Sequence, residues 1–159
     1  MESFAYLFPF LVIGMFILVM YIMSKMGWDD LVANYEASVP FTGQRVGIIS
    51  ASINSLGYRN SLVLKYNDQG MLLKPVFILR LFHKPIFIPW SEIKEIRDKK
   101  ILFTNLKQFI IGNPFVAVIG MEKSTFSKIE NYLHYKISKW IYNFLKALKS
   151  AFVKVWTWK

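Results

Sequence analysis

Cysteine is absent from the 159 residues, and histidine occurs twice, at His83 and His134. Without thiolates there is no disulfide scaffold and no Cys-ligated zinc or iron–sulfur centre. The two histidines form no His-x-x-x-His pair and no close cluster of carboxylates accompanies them, which removes the usual divalent-metal ligand sets. Gly-x-Gly-x-x-Gly, the Walker A loop and Gly-x-Ser-x-Gly are missing too, so dinucleotide, P-loop and α/β-hydrolase chemistry lack their signatures. Asp29-Asp30 reads as a solvated pair, because adjacent side chains point apart. The sequence therefore assigns no catalytic residue, no cofactor and no metal ligand, and the expectation is a protein that is not an enzyme. A disordered chain is excluded as well, since 54% of the residues are apolar and 17% aromatic. The length fits one compact domain plus an appendage.

Charge is missing from one long stretch. Phe4 to Met23 contains no Asp, Glu, Lys, Arg or His, and its roughly 20 residues make a helix of about 30 Å, the thickness of the hydrocarbon core of a bilayer. Pro9 lies about two turns into it, where a local kink is tolerated in lipid. Only Glu2 precedes the run, and Ile22-Met23-Ser24-Lys25-Met26-Gly27 leaves it without an Ala-x-Ala-like site or a lipobox cysteine. The basic n-region and cleavage site of a signal peptide are thus wanting, and the segment is expected to be an uncleaved single-pass anchor. All 20 Lys and Arg lie after it, beginning at Lys25, which places the C-terminal part on the cytoplasmic side of the cell membrane by the positive-inside rule. Val76 to Trp90, broken by Arg80, His83, Lys84, Pro85 and Pro89, is not a second span. Nor is Ile101 to Gly120, with Lys107, Asn113 and Pro114.

Beyond the anchor (residues 1–25) and a juxtamembrane linker (26–44) that holds Trp28 and Leu31, short β-branched and aromatic runs recur between turn signals, the pattern of a small all-β sandwich or barrel. The expected strands are Val46–Ile53, Ser61–Tyr66, Met71–Phe82, Pro85–Trp90, Ile93–Asp98, Ile101–Thr104, Gln108–Ile111 and Phe115–Met121. Asn67-Asp68-Gln69-Gly70 reads as a hairpin turn with Gly70 at positive φ. Leu62, Leu64 and Tyr66 alternate with Val63 and Lys65, as in a strand with one wet face. The mixed charges at Lys94, Glu95, Arg97, Asp98, Lys99 and Lys100 read as a wet strand edge and turn. Trp90 is expected to fill the core or its rim. Ser124 then offers an N-cap to a helix with Phe126, Ile129, Leu133 and Ile137 three to four residues apart.

The stretch Gly70-Met71-Leu72-Leu73 through Pro85-Ile86-Phe87-Ile88-Pro89-Trp90-Ser91-Glu92-Ile93-Lys94-Glu95-Ile96 resembles the GRAM and bacterial PH-like pattern, in which a glycine turn opens a strand and a later strand ends in an Ile-Pro-Trp run. Gly27-Trp28 together with His83 to Ile93 is also similar to uncharacterised single-pass bacterial membrane proteins. The resemblance implies an α+β fold, with residues 45–138 as a PH-like (GRAM-like) antiparallel β barrel or sandwich closed by a C-terminal helix. Phosphoinositide-binding PH domains place several Lys or Arg in the first hairpin; Ala51 to Tyr58 holds none, and Arg59 stands just beyond.

From Lys123 to Lys159 there are eight Lys against Glu130 alone, which is +7 of the net +10. At 100° per residue the apolar side chains of this tail share one face and the lysines the other. Residues 139–159 are therefore expected to extend the closing helix as a basic amphipathic one. Its membrane-contact residues would be Trp140, Phe144, Lys146, Leu148, Lys149, Phe152, Trp156 and Trp158, with lysines toward anionic lipid. The partner implied is the lipid bilayer, not nucleic acid, because the aromatics lie on the apolar face and offer no stacking platform. Two functions fit: a membrane-anchored binding or scaffolding module at the cytoplasmic face, or an accessory subunit of a larger membrane complex that uses the basic helix as a protein contact. If the anchor reading is right, mass spectrometry of the mature protein will find Phe4 to Met23 still attached; a mature N-terminus near Lys25 would refute it.

Overall fold

The structure, a computed structural model, describes residues 2–101, 104–130 and Leu133. They belong to two compact units, one running to Thr125 and one beginning at Phe126.

The first unit opens with helix α1, Glu2–Met23. A tight turn, Ser24–Trp28, breaks the helix at Met26 (φ −85°, ψ 38°) and Gly27 (φ 113°), and α2 follows at Asp29–Tyr35. Seven strands then form a single antiparallel sheet: β1 Gln44–Ile53, β2 Leu56–Tyr66, β3 Gly70–Pro75, β4 Ile86–Pro89, β5 Ile93–Ile101, β6 Thr104–Ile111 and β7 Ala117–Glu122. Their order is β4-β3-β2-β1-β7-β6-β5. Two meanders are thus joined side by side through β1 and β7, and the sheet curls into a half-barrel with β4 and β5 as its edges.

Alternation explains which face turns inward. Ile49, Ala51 and Ile53 of β1, Leu62 and Leu64 of β2, Ile86 and Ile88 of β4, Phe109 and Ile111 of β6, and Ala117, Ile119 and Met121 of β7 are buried. Each set is spaced by two, so one pleat face supplies the core. Asn54 and Ser55, at φ 48° and 78°, make the two-residue turn between β1 and β2, the backbone form whose twist matches a right-twisted hairpin. Asn54 then pins this tip to β7: its amide donates to Val118 O at 2.9 Å and its Oδ1 accepts from Val118 N at 2.9 Å.

Several expected elements change. The run from Met71 to Phe82 is not one strand, because Pro75 ends β3 and Phe77–Leu81 forms a 3₁₀ turn. Proline has no N–H to continue a ladder. In the other direction, Ile93–Asp98 extends to Ile101, and the expected strand Ile101–Thr104 does not exist, because Ile101 ends β5 and Thr104 opens the antiparallel β6 opposite it. β5 runs unbroken through the charged stretch, where Asp98 stands opposite Lys107 of β6 and pairs with its ammonium at 2.9 Å.

Gly70 is needed for a different reason from the one its sequence context suggests. It is not among the positive-φ residues. Instead, a Cβ there would collide with the Ile88 carbonyl oxygen and lie 2.8 Å from the Phe87 ring. The preceding turn is held by Asn67, whose Oδ1 accepts from Gln69 N at 2.9 Å and Gly70 N at 3.1 Å. Trp90 closes the same corner, its indole donating to Asn67 O at 2.9 Å.

The second unit continues a helix that spans 123–130 in the described residues and includes Leu133. On it Phe126 and Ile129 fall on one helical face.

Gly70→Val should destabilise the fold by about 2 kcal/mol or more, in the range of overpacking. Gly70→Ala should do nearly as much, because the collision begins at Cβ. Thermal melts of the full chain in detergent will check this; a parent-like melt for both variants would contradict the close approach of β3 to β4.

Candidate functional site at the helix–sheet junction

Where α1 ends, the chain packs aromatic side chains against the half-barrel. Trp28 and Leu31 are fully buried, as are Tyr58 from β2 and His83 from the loop before β4. The Trp28 ring stands 5.4 Å from Tyr58 and 5.2 Å from His83, and Tyr58 meets His83 nearly perpendicular at 5.6 Å. Three rings thus pack by tilted and edge-on contacts, the arrangement their quadrupoles favour. The Trp28 indole N–H donates to Lys84 O at 3.0 Å, satisfying the one polar atom this side chain takes into the core.

Gly27 makes the approach possible. Its φ of 113° belongs to the glycine region, and a Cβ would sit 2.5 Å from the Asn54 side chain. The sharp turn at Met26 and Gly27 redirects the chain so that Trp28 points into the half-barrel at the foot of the helix. About one and two turns earlier, Ser24 and Met20 are buried as well, and Ser24 Oγ donates to Tyr21 O at 2.9 Å. The Phe82 ring meets Tyr21 edge-on at 5.7 Å.

The hydrogen bonds of His83 fix its tautomer. Nδ1 faces Leu79 O at 3.2 Å, and a carbonyl only accepts, so Nδ1 carries the proton. Nε2 then accepts from the Tyr58 hydroxyl at 3.2 Å. That hydroxyl also lies 3.4 Å from Met23 O, the last residue of α1. Burial lowers the His83 pKa, opposed by the Leu79 carbonyl and by the negative charge of Asp29. Burial, with a smaller contribution from Asp29, pushes Tyr58 up to about 12. At neutral pH both groups are uncharged, so the junction is a neutral hydrogen-bonded aromatic cluster and neither group is an activated nucleophile. Asp29 itself is engaged by Lys25 at 2.6 Å.

Among the described residues no three His, Asp or Glu side chains come together. The eight tail positions expected to touch the membrane, Trp140, Phe144, Lys146, Leu148, Lys149, Phe152, Trp156 and Trp158, lie outside the described residues, as does His134. Trp28 and Leu31, placed in a linker by the sequence, are core residues. His83 sits in the loop where the sequence put it, but its ring is buried; the apolar run around it, Val76 to Ile88, was the available signal. No family model matches the chain, and no curated protein or solved structure matches it either.

The junction carries a pH dependence whose sign follows from His83. The folded protein holds the ring below the 6.5 of a free imidazole, so the unfolded chain takes up the proton more readily. The stability contributed by the neutral ring is complete above about 6.5 and is lost as pH falls from there through the lowered folded value. The melting temperature in detergent should therefore decline between about pH 7 and about pH 5, where imidazole titrates, and His83→Gln should flatten that decline. An identical slope in the variant would remove His83 as the cause.

Proposed function

We propose that the chain is a non-enzymatic, single-pass membrane protein whose PH-like half-barrel is a binding or scaffolding module held at the cytoplasmic face. The surface of α1 carries the reading. Its large apolar side chains from Leu7 to Ile22 are 41% to 72% exposed wherever they are not docked at the junction. A core helix of a soluble protein buries such a stripe; this one leaves it uncovered over about the thickness of a bilayer core, where water is a poor solvent and lipid a good one. The same helix is long and apolar enough to cross, and its last turn is continuous with a buried protein junction, so the anchor and the module are one body.

The sidedness is supported by Lys25 immediately after the helix. The PH-like reading is supported by the curled antiparallel sheet and by the helix that follows β7. The basic tail, through Trp140, Phe144, Lys146, Leu148, Lys149, Phe152, Trp156 and Trp158, supplies an interfacial helix for anionic lipid, supported by the segregation of lysines from aromatics along it.

The test is extraction and protease access. The protein should remain in the pellet through an alkaline carbonate wash, and in sealed inside-out membranes protease should remove the half-barrel while leaving the anchor. Release by carbonate would refute the span, and cleavage only in right-side-out membranes would reverse the orientation.

A further inference from the structure

Outside α1, the exposed large apolar side chains of the described residues lie singly along the chain, with one exception. In the connection between β3 and β4, Phe77, Ile78 and Leu81 are 82%, 64% and 69% exposed within one short 3₁₀ turn. The turn is rigidly held. Val76 N donates to Ser61 O at 2.9 Å, Leu79 N to Val76 O at 3.0 Å, and Leu79 O receives both the His83 amide and its ring Nδ1 at 3.2 Å. An ordered backbone therefore displays three apolar side chains that nothing in this unit covers.

Their position relative to the anchor is fixed by contacts already described. Phe82, directly after Leu81, packs on Tyr21, and His83 reaches Met23 O through the Tyr58 hydroxyl. Tyr21 and Met23 mark the end of the charge-free run, the level at which a spanning helix leaves hydrocarbon and aromatic side chains gather. A five-residue 3₁₀ helix is only about 10 Å long, so Phe77, Ile78 and Leu81 all lie within about that distance of this level, the depth to which interfacial apolar groups enter. Arg80 stands among them, exposed, with its guanidinium 6.0 Å from the Phe77 ring and its Nε donating to Pro75 O at 3.2 Å. It makes no ion pair with a described carboxylate.

We propose that segment 76–82 is a second membrane contact: Phe77, Ile78 and Leu81 enter the headgroup layer beside the foot of α1, and Arg80 meets lipid phosphate. The occupant is lipid because the patch adjoins the anchor through the Phe82–Tyr21 contact and because its one cation makes no ion pair with an acidic side chain among the described residues. An apolar wedge carrying a basic residue is the composition that suits an anionic headgroup region. Two contacts, a helix and a loop, determine the tilt of the half-barrel, which one helix alone leaves free to vary. The turn Asn67–Gly70, at the far end of β3 and about 20 Å away, is then directed into the aqueous phase. The inference rests on the anchored reading and adds a site to it.

The absence of cysteine makes the test direct, since every introduced thiol is a unique labelling position. Single variants Leu11→Cys, Phe77→Cys, Ile78→Cys and Gln69→Cys of the full chain would carry a nitroxide and be placed in nanodiscs of mixed phosphatidylcholine and phosphatidylglycerol. Collision with oxygen and with a water-soluble nickel chelate is then compared. The expected result is oxygen-dominated relaxation at Leu11, nickel-dominated relaxation at Gln69, and several-fold lower nickel access at Phe77 and Ile78 than at Gln69. Arg80→Glu should raise nickel access at Ile78 toward the Gln69 value, and no change there would overturn the phosphate contact. Nickel access at Phe77 and Ile78 equal to that at Gln69, with Leu11 still in lipid, would overturn the loop contact alone. Shielding of both labels from oxygen and nickel alike would overturn lipid in favour of a protein occupant. A nickel-accessible Leu11 would instead overturn the anchor reading on which the proposal stands.

Discussion

Burial of Trp28 against Tyr58 and His83 is the interaction on which the arrangement of this protein depends. A helix that ends in solvent is joined to a domain by a tether; a helix whose terminal turn is buried is part of the domain. Magnitudes decide which contact matters here. Emptying a buried tryptophan site costs about 3–5 kcal/mol, whereas the hydrogen bond from its indole to Lys84 O is worth about 1 kcal/mol net. The surface ion pairs Lys25–Asp29 and Lys84–Glu36, both substantially exposed, add little because water already solvates them well. The hydrogen bonds and charges set the orientation of the rings, and apolar burial supplies the stability.

That burial requires the turn at Met26 and Gly27. A continuous helix from Glu2 to Tyr35 would carry Trp28 past the sheet and project α2 away from it. The break lets α2 run back along the edge, where Glu36 bridges to Ile86 and the Ala37 amide donates to Pro85 O at 3.0 Å. These contacts also occupy part of β4, a four-residue edge strand. The other edge, β5, is protected by composition: Lys94, Glu95, Arg97, Asp98, Lys99 and Lys100 make it unattractive for pairing with another sheet. The half-barrel therefore avoids edge-to-edge association by a short covered edge on one side and a charged edge on the other.

Tyr58 ties the two halves of the junction together electrically as well as sterically. Its single hydroxyl proton has two acceptors, His83 Nε2 and the Met23 carbonyl. While His83 is neutral the proton points at Nε2. A protonated ring would donate from that nitrogen instead and turn the hydroxyl toward Met23, the end of the helix. The low dielectric that makes an unpaired polar group expensive also makes this small network sensitive to one proton.

Periodicity and charge determined a large part of this protein directly from its sequence. The charge-free run Phe4 to Met23 specified a helix of spanning length, because no other segment avoids Asp, Glu, Lys, Arg and His for so long. The alternation around Leu62 and Leu64, and the turn at Asn67 to Gly70, specified antiparallel strands, because side-chain period and turn chemistry are local properties. The tertiary structure decided what depends on neighbours distant in the chain. Trp28 looked like a linker residue until Tyr58 and His83 came to it from 30 and 55 positions onward. Gly70 looked like a positive-φ glycine, but the requirement comes from the Ile88 carbonyl of the adjacent strand. The apolar run Met71 to Phe82 looked like one strand; Pro75 ends it, and the residues beyond turn outward beside the foot of the helix. Local pattern reports which face of an element is apolar, and only the packing of the elements decides what that face meets.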